Sequence, residues 1–305
     1  MAHIITNAAT RKNQKGGYGL SSNRIKVYRT FQSIVQTYEN ELGHAIYIRD
    51  IDPEFIKSFT DWLMKSSYAL STIGKFIANF KTVCNDASLN GLKTSSQLKL
   101  IKVINERKDN EQIICLSFEE LDKIEKLKLK KKYLLNARDW LILGCYVGQR
   151  GGDLLSLAKN NIKQLKDLKI LELEQQKTGK QVVVPLYSKA LEITERGFPY
   201  SIPLQKFNNH IKELCKIAGI DTPTKGKIMD AKTNRKKPGV YPKHQLVSSH
   251  ICRRSFATNF YGQIPTPILM SITGHATEDM FLQYIGKTRY DNAYQMVEYF
   301  NKLNV

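Results

Sequence analysis

Cysteine is sparse and forms no pattern. The five at 84, 115, 145, 215 and 252 include no C-x-x-C pair, and an odd number cannot pair completely. This excludes a disulfide framework and a cysteine zinc site. The six histidines show no H-E-x-x-H or comparable ligand spacing, so no metal or other cofactor is implied and chemistry must come from side chains. Long apolar runs are also missing. The longest, Trp140–Val147, falls far short of the roughly 20 residues a spanning helix needs, and Met1–Gly17 has no hydrophobic signal core. A membrane protein is therefore not expected, and an intracellular, cytoplasmic location is. Repeats and low-complexity tracts are absent. Acidic residues are scarce too: Asp and Glu total 28 against 47 Lys and Arg, leaving +19. Such a balance favours an anionic partner, nucleic acid before an acidic membrane.

The length of 305 residues exceeds one typical domain, so two are expected. Residues 1–20 are polar and basic with Gly16-Gly17, and read as a mobile N-terminal arm. From Ser21 the pattern becomes helical. Tyr28, Phe31, Val35 and Tyr38 share a stripe, Asp52-Pro53 marks a helix start, and Ile73, Phe76, Ile77, Phe80 and Val83 line a third helix over about 71–87. Residues 21–105 thus read as a small all-helical domain and 106–115 as a linker. Ser117 and Glu120 fit a capping box that opens a second domain over 116–305. It reads as helices with one small inserted sheet, in which Leu168–Leu173 and Gln181–Pro185 are joined through Q-Q-K-T-G-K. The fold class expected is mainly α with a small β-sheet.

Polar groups on apolar scaffolding recur in this second domain. Arg150 closes G-Q-R after a strongly apolar helix, with Asp153 three residues on, and Lys177 sits at the expected hairpin tip. In H-I-C-R-R-S-F-A-T-N-F, His250 and Arg253 share a helix face beside an apolar row of Cys252, Phe256 and Phe260. G-H-A-T-E-D-M-F-L-Q-Y supplies His275 and Tyr284. Singly each has an ordinary structural explanation: a local salt bridge, an exposed turn lysine, a solvated helix edge, a cap histidine, a core aromatic. Together they form an ordered set, R … K … H-x-x-R … H … Y.

That order resembles the tyrosine recombinase family, the phage-integrase class of DNA strand-exchange enzymes. The most specific matches are S-S-H-I-C-R-R-S-F-A-T-N-F and I-T-G-H with its following tyrosine. Y-A-L-S-T-I-G-K-F-I-A-N-F-K is similar to the family's helical, SAM-like core-binding domain. The resemblance implies an N-terminal core-binding domain joined to an α+β catalytic domain that breaks and rejoins DNA through a 3′-phosphotyrosine link. It implies Tyr284 as nucleophile, Arg150 and Arg253 as a two-pronged clamp on the scissile phosphate, and His250 as base. Lys177, rather than the nearby Lys180, would protonate the leaving oxygen, His275 would hydrogen-bond the phosphate, and Asp153 would orient the first arginine or its histidine partner. Its implied partners are double-stranded DNA attachment sites, a homotetramer on two duplexes, and accessory DNA-bending or directionality factors, in a nucleoid-associated location. One departure is the run Val147-Gly148-Gln149-Arg150-Gly151-Gly152, where two glycines after the arginine are expected to loosen its placement.

Two basic runs remain, either solvated faces or contacts to the DNA backbone: Lys126, Lys128, Lys130, Lys131 and Lys132, and Lys225, Lys227, Lys232, Arg235, Lys236 and Lys237. Near the C terminus Ala293, Met296, Val297 and Phe300 form an apolar stripe, which is to be buried either on its own domain or in trans on a neighbouring protomer. Two alternatives stay open: a type IB topoisomerase-like relaxase using the same residues as a monomer, and a DNA-binding accessory protein without catalysis.

Overall fold

The computed structural model describes residues 1–12, 16–105 and 113–303. It divides into two compact units, Met1–Asp109 and Asn110–Val305. Of the expected linker at 106–115, residues 106–112 lie outside the described residues.

The first unit is helical: α1 (Ala2–Thr6), α2 (Ser22–Leu42), α3 (Pro53–Lys65) and α4 (Leu70–Leu89). Its starts follow local chemistry. The Ser21 hydroxyl accepts from Arg24 N to cap α2, and Asp52 caps α3 ahead of Pro53 in the first turn. The α2 and α4 stripes read from sequence meet α3 in an aromatic core, where the ring of Phe80 lies edge-on to Phe31 at 4.8 Å and to Phe59 at 5.1 Å. The N terminus departs from the expected mobile arm. Residues 2–6 coil into α1, Ile4 enters the core, and Arg11 holds Asp86 at 2.6 Å. An apolar residue within the polar stretch provides the anchor.

The second unit opens with α5 (Phe118–Glu125), where the capping box forms as expected, with Glu120 N donating to Ser117 Oγ and Ser117 N to Glu120 Oε2. At its centre α6 (Lys132–Val147) is apolar on nearly every side and buried accordingly. The indole of Trp140 donates to Tyr200 O at 2.8 Å, so its one polar atom is satisfied. After α7 (Gly151–Leu155) come three antiparallel strands in order, β1 (Ile162–Leu165), β2 (Leu168–Glu174) and β3 (Gln181–Pro185), with Leu171 opposite Val184 and Leu173 opposite Val182 on the buried face. Then follow α8 (Lys189–Arg196) and α9 (Leu204–Ile217).

A second hairpin, β4 (Pro223–Met229) with β5 (Lys236–Pro242), was not expected from sequence. Lysine, glycine and proline are poor strand formers, so a propensity reading finds only a basic loop there. The register places Lys225, Lys227 and Lys236 on one exposed face with Met229, Pro238 and Val240. The chain continues through α10 (Lys243–Leu246), α11 (His250–Phe260), α12 (Thr266–Thr273), α13 (Glu278–Ile285) and α14 (Arg289–Leu303). Helix α11 lies against α6, with Cys252 beside Gly144 and Phe256 beside Gly148, and Leu116 N donates to the buried Ser255 Oγ at 2.8 Å. Full burial of a side chain such as Phe256 contributes about 1.5–3 kcal/mol, enough to seat this helix firmly.

Candidate active site

Four segments of the chain deliver the polar residues: the turn after α6, the β2–β3 turn, α11, and the stretch from the end of α12 into α13. At the end of α6, Gly148 adopts φ +66°, and a Cβ there would lie 2.5 Å from the Phe256 ring. Only glycine fits this reversal against α11, and it turns Gln149 and Arg150 back toward that helix. Gly151 plays a related part. A Cβ there would stand 2.6 Å from Ser249, so the residue after Arg150 is small because the turn bearing the arginine presses on the start of α11. Close approach to Ser249 thus accounts for a glycine at this position. Gly152 faces open space.

Arg150 Nη1 donates to Gln175 Oε1 at 2.8 Å. Asp153, expected to orient this arginine or its histidine partner, forms an ion pair with Arg150 at 3.9 Å and also accepts from Gln176 N at 3.1 Å, which ties the β2–β3 turn to α7. Arg253, almost wholly buried on α11, donates from Nη1 to Gly148 O at 3.3 Å, while its Nη2 has no hydrogen-bond partner among the described residues. Burial, then the nearby Arg150, pulls the Arg253 guanidinium down to about 10, still charged at neutral pH.

The two histidines bracket the tyrosine. The ring centroid of Tyr284 on α13 is 5.3 Å from His250, edge to face, and 4.8 Å from His275. Its hydroxyl is buried and unpartnered among the described residues. Burial raises the Tyr284 pKa, against the pull of Arg253, Arg254 and Arg150 toward the phenolate. His250 keeps an exposed edge, yet crowding of its ring, then Arg254, Arg253, Arg150 and Lys177, pushes it down to about 4. His275 is also held at about 4, by burial and then by Arg253, Arg150 and His250. Both imidazoles are therefore neutral at pH 7 and can accept a proton. Lys177 stays exposed on the turn. It is among the cations that push His250 down.

The site thus gathers Arg150, Lys177, His250, Arg253, His275 and Tyr284, with Asp153 beneath. Sequence reasoning missed four more. Arg254 places its guanidinium carbon 5.2 Å from the Tyr284 ring centroid, and helical spacing of four from His250 could have found it. Gln149 and Gln175 are both fully buried, and Gln175 continues the inward row of Leu171 and Leu173, a period of two that was legible. Thr273 Oγ1 lies 2.9 Å from His275 Nδ1.

The basic runs behave differently from one another. Lys126, Lys128 and Lys130 are exposed and alternate with half-buried Leu127 and Leu129, as does an extended segment, and Lys132 is exposed at the start of α6. Lys131 leans 3.8 Å from Glu213, and Lys237 pairs with Asp230 at 2.6 Å. Lys225, Lys227, Lys232 and Lys236 are exposed on or beside the second hairpin, and Arg235 is half-buried. Among the described residues no group of histidine, cysteine and carboxylate side chains could hold a metal ion, and no helix is long and apolar enough to cross a membrane.

Comparison with known proteins agrees with this architecture. Residues 2–108 match the family model of the phage integrase SAM-like domain. No curated protein matches the chain. Among solved structures, a lambda integrase dimer bound to a COC′ core site superposes with a TM-score of 0.68 at 15% identity, covering 93% of each chain. The Tn1549 transposon integrase in complex with transposon right end DNA gives 0.65 at 14% identity over 99% of each chain. The XerH site-specific recombinase, bound to a palindromic difH substrate in a post-cleavage complex, gives 0.62 at 16% identity, covering 93% of this chain and 82% of that one. The fold along nearly the whole chain is that of these recombinases.

Proposed function

We propose that this chain, which has the tyrosine recombinase fold with a phage integrase SAM-like domain at its N terminus, is a site-specific DNA recombinase working through a covalent tyrosine intermediate. One observation carries the reading: Arg253 Nη2 and Arg254 Nε are buried without acceptors among the described residues, near a Tyr284 hydroxyl that is buried and likewise without a partner among them. Unsatisfied buried polar groups are rare and costly, and several converging on one spot fit an absent anionic ligand. A DNA phosphodiester supplies that anion.

In this mechanism Arg150 and Arg253 grip the non-bridging oxygens, whose charge grows as the phosphorus becomes five-coordinate. The Tyr284 oxygen attacks the phosphorus while neutral His250 accepts the phenol proton. The bond from phosphorus to the 5′-oxygen breaks, and Lys177 donates a proton to that oxygen. A 3′-phosphotyrosine ester and a free 5′-hydroxyl result, with bond energy conserved for rejoining, so neither metal nor nucleotide is consumed. His275 donates to the phosphate once the added negative charge raises its pKa. Exposed lysines at 126, 128 and 130, and at 225, 227 and 236, fit contacts to the DNA backbone that hold the duplex without reading its sequence.

Assembly on two duplexes is supported by α14, whose Met296, Val297 and Phe300 are exposed together with Tyr290 and Tyr294. The stripe read from sequence is therefore not covered by its own unit, which fits docking in trans and a multimer better than a solitary relaxase. The test is a pool of duplexes, nicked beside randomised core sequence so that a released fragment cannot religate. The expected product is a heat- and detergent-resistant protein–DNA adduct at the 3′ end, with a 5′-hydroxyl on the partner fragment, followed by recombinants from intact sites. Adduct without recombinants would favour the relaxase, and neither product would favour a binding protein.

A further inference from the structure

Gln175 sits at the end of β2 and is fully buried, and all four hydrogen-bonding positions of its amide are used. Oε1 accepts from Arg150 Nη1 at 2.8 Å and from Thr178 Oγ1 at 3.1 Å. Nε2 donates to Gln149 Oε1 at 3.0 Å and to Ile272 O at 3.2 Å. Gln149 is locked in turn, donating to Val147 O at 2.9 Å and Ile272 O at 3.3 Å. The amide cannot flip, because its NH2 would then face the guanidinium. One side chain thereby joins the turn that carries Arg150, the turn that carries Lys177, and the end of α12 just before His275.

We infer that Gln175 is the positioning residue for Arg150, an inference that rests on the functional reading above. The chemistry explains why an amide serves here. A carboxylate hydrogen-bonded to Arg150 would offset more of the charge the phosphate needs than Asp153 does from 3.9 Å, whereas a neutral carbonyl aims the guanidinium without adding negative charge. Asp153, at 3.9 Å, keeps an ion pair with Arg150 but is too far to hydrogen-bond it, and it also holds the neighbouring turn.

The test uses the full chain with two variants. Q175M keeps the volume and removes the acceptor. Q175N keeps a polar amide but withdraws its oxygen by one methylene, and serves if Q175M does not fold. Single-turnover adduct formation is measured on a normal phosphodiester and on a substrate whose scissile linkage is a neutral methylphosphonate, alongside half-site binding and thermal midpoint. A residue acting through Arg150 matters where the non-bridging charge exists. Adduct formation should slow by about tenfold or more on the phosphodiester, as for loss of a hydrogen bond to a charged group, and by under about threefold on the methylphosphonate. Equal losses on both substrates would mark Gln175 as merely structural and overturn the inference, as would wild-type rates in the folded variants. Absence of adduct from the wild-type chain overturns the functional reading and this inference together, whereas adduct from wild type at a rate unchanged by either variant overturns the inference alone.

Discussion

Thr273 Oγ1 gives its only proton to Leu269 O at 2.6 Å, so the 2.9 Å contact to His275 Nδ1 places the proton on the histidine. This fixes the neutral ring as the Nδ1–H tautomer with a lone pair on Nε2. His275 can then donate from Nε2 to a phosphate only as an imidazolium, a state that bare burial opposes and a bound anion favours.

A Thr273→Val variant tests that arrangement, since valine fills the buried site without the hydroxyl. Adduct formation should slow by about tenfold, the effect of one lost hydrogen bond to a charged group, with half-site binding intact. An unchanged rate would show that the tautomer is irrelevant.

Tyr284→Phe should abolish the covalent adduct and leave DNA binding nearly unchanged, because only the nucleophilic oxygen is removed. Gel-shift and adduct assays on the same preparation decide it. Cleavage by the variant at the wild-type rate would sink the assignment.

Arg150→Ala and Arg253→Ala should each lower the cleavage rate by about 10²–10³-fold, roughly 3 kcal/mol or more, as for other donors aimed at transition-state charge. Arg253 is nearly inaccessible, so Arg253→Lys is the companion that preserves charge and most of the volume while losing the planar fork. Chelator should leave wild-type cleavage unchanged. A strict Mg²⁺ requirement for the cleavage step counts against the mechanism.

Acid should destabilise the second unit through its histidines. His250, facing Arg254, Arg253, Arg150 and Lys177, and His275, facing Arg253, Arg150 and His250, are held at about 4 against an ordinary 6.5. Between those values the unfolded chain binds more protons than the folded one, so stability rises with pH. Their contribution is present above about 6.5 and is lost as pH falls through about 4. Thermal midpoints measured across this window should fall less steeply for a His250→Gln, His275→Gln double variant. Identical slopes would show that the two rings do not titrate in this way.

Deleting residues 290–305 should leave the thermal midpoint and single half-site binding close to wild type, since Tyr290, Tyr294, Met296, Val297 and Phe300 are exposed. Synaptic complexes, followed by light scattering or native gel on two-site DNA, should be lost. Unfolding of the truncated chain would place the tail in its own core, and normal recombination would make it dispensable.

The sequence alone determined what depends on short spacing. Helices α2 and α4 follow from apolar stripes and α3 from its Asp52-Pro53 start, the Ser117–Glu120 box from its residue types, and the ordered Arg, Lys, His, Arg, His, Tyr set from chain order. Composition determined the bias toward an anionic partner. Tertiary structure decided what depends on distant segments meeting. No local rule says that Gly151 is small because Ser249 presses on it, or that Gln175, 25 residues from Arg150, accepts the hydrogen bond from that arginine while the nearer Asp153 stays at 3.9 Å. The β4–β5 hairpin forms from residues of poor strand propensity because cross-strand hydrogen bonds, between partners invisible in a sequence window, outweigh that preference. Neutral histidines beside a buried tyrosine belong to the same class, since desolvation and the field of four cations exist only after α7, the β2–β3 turn, α11 and α13 have converged.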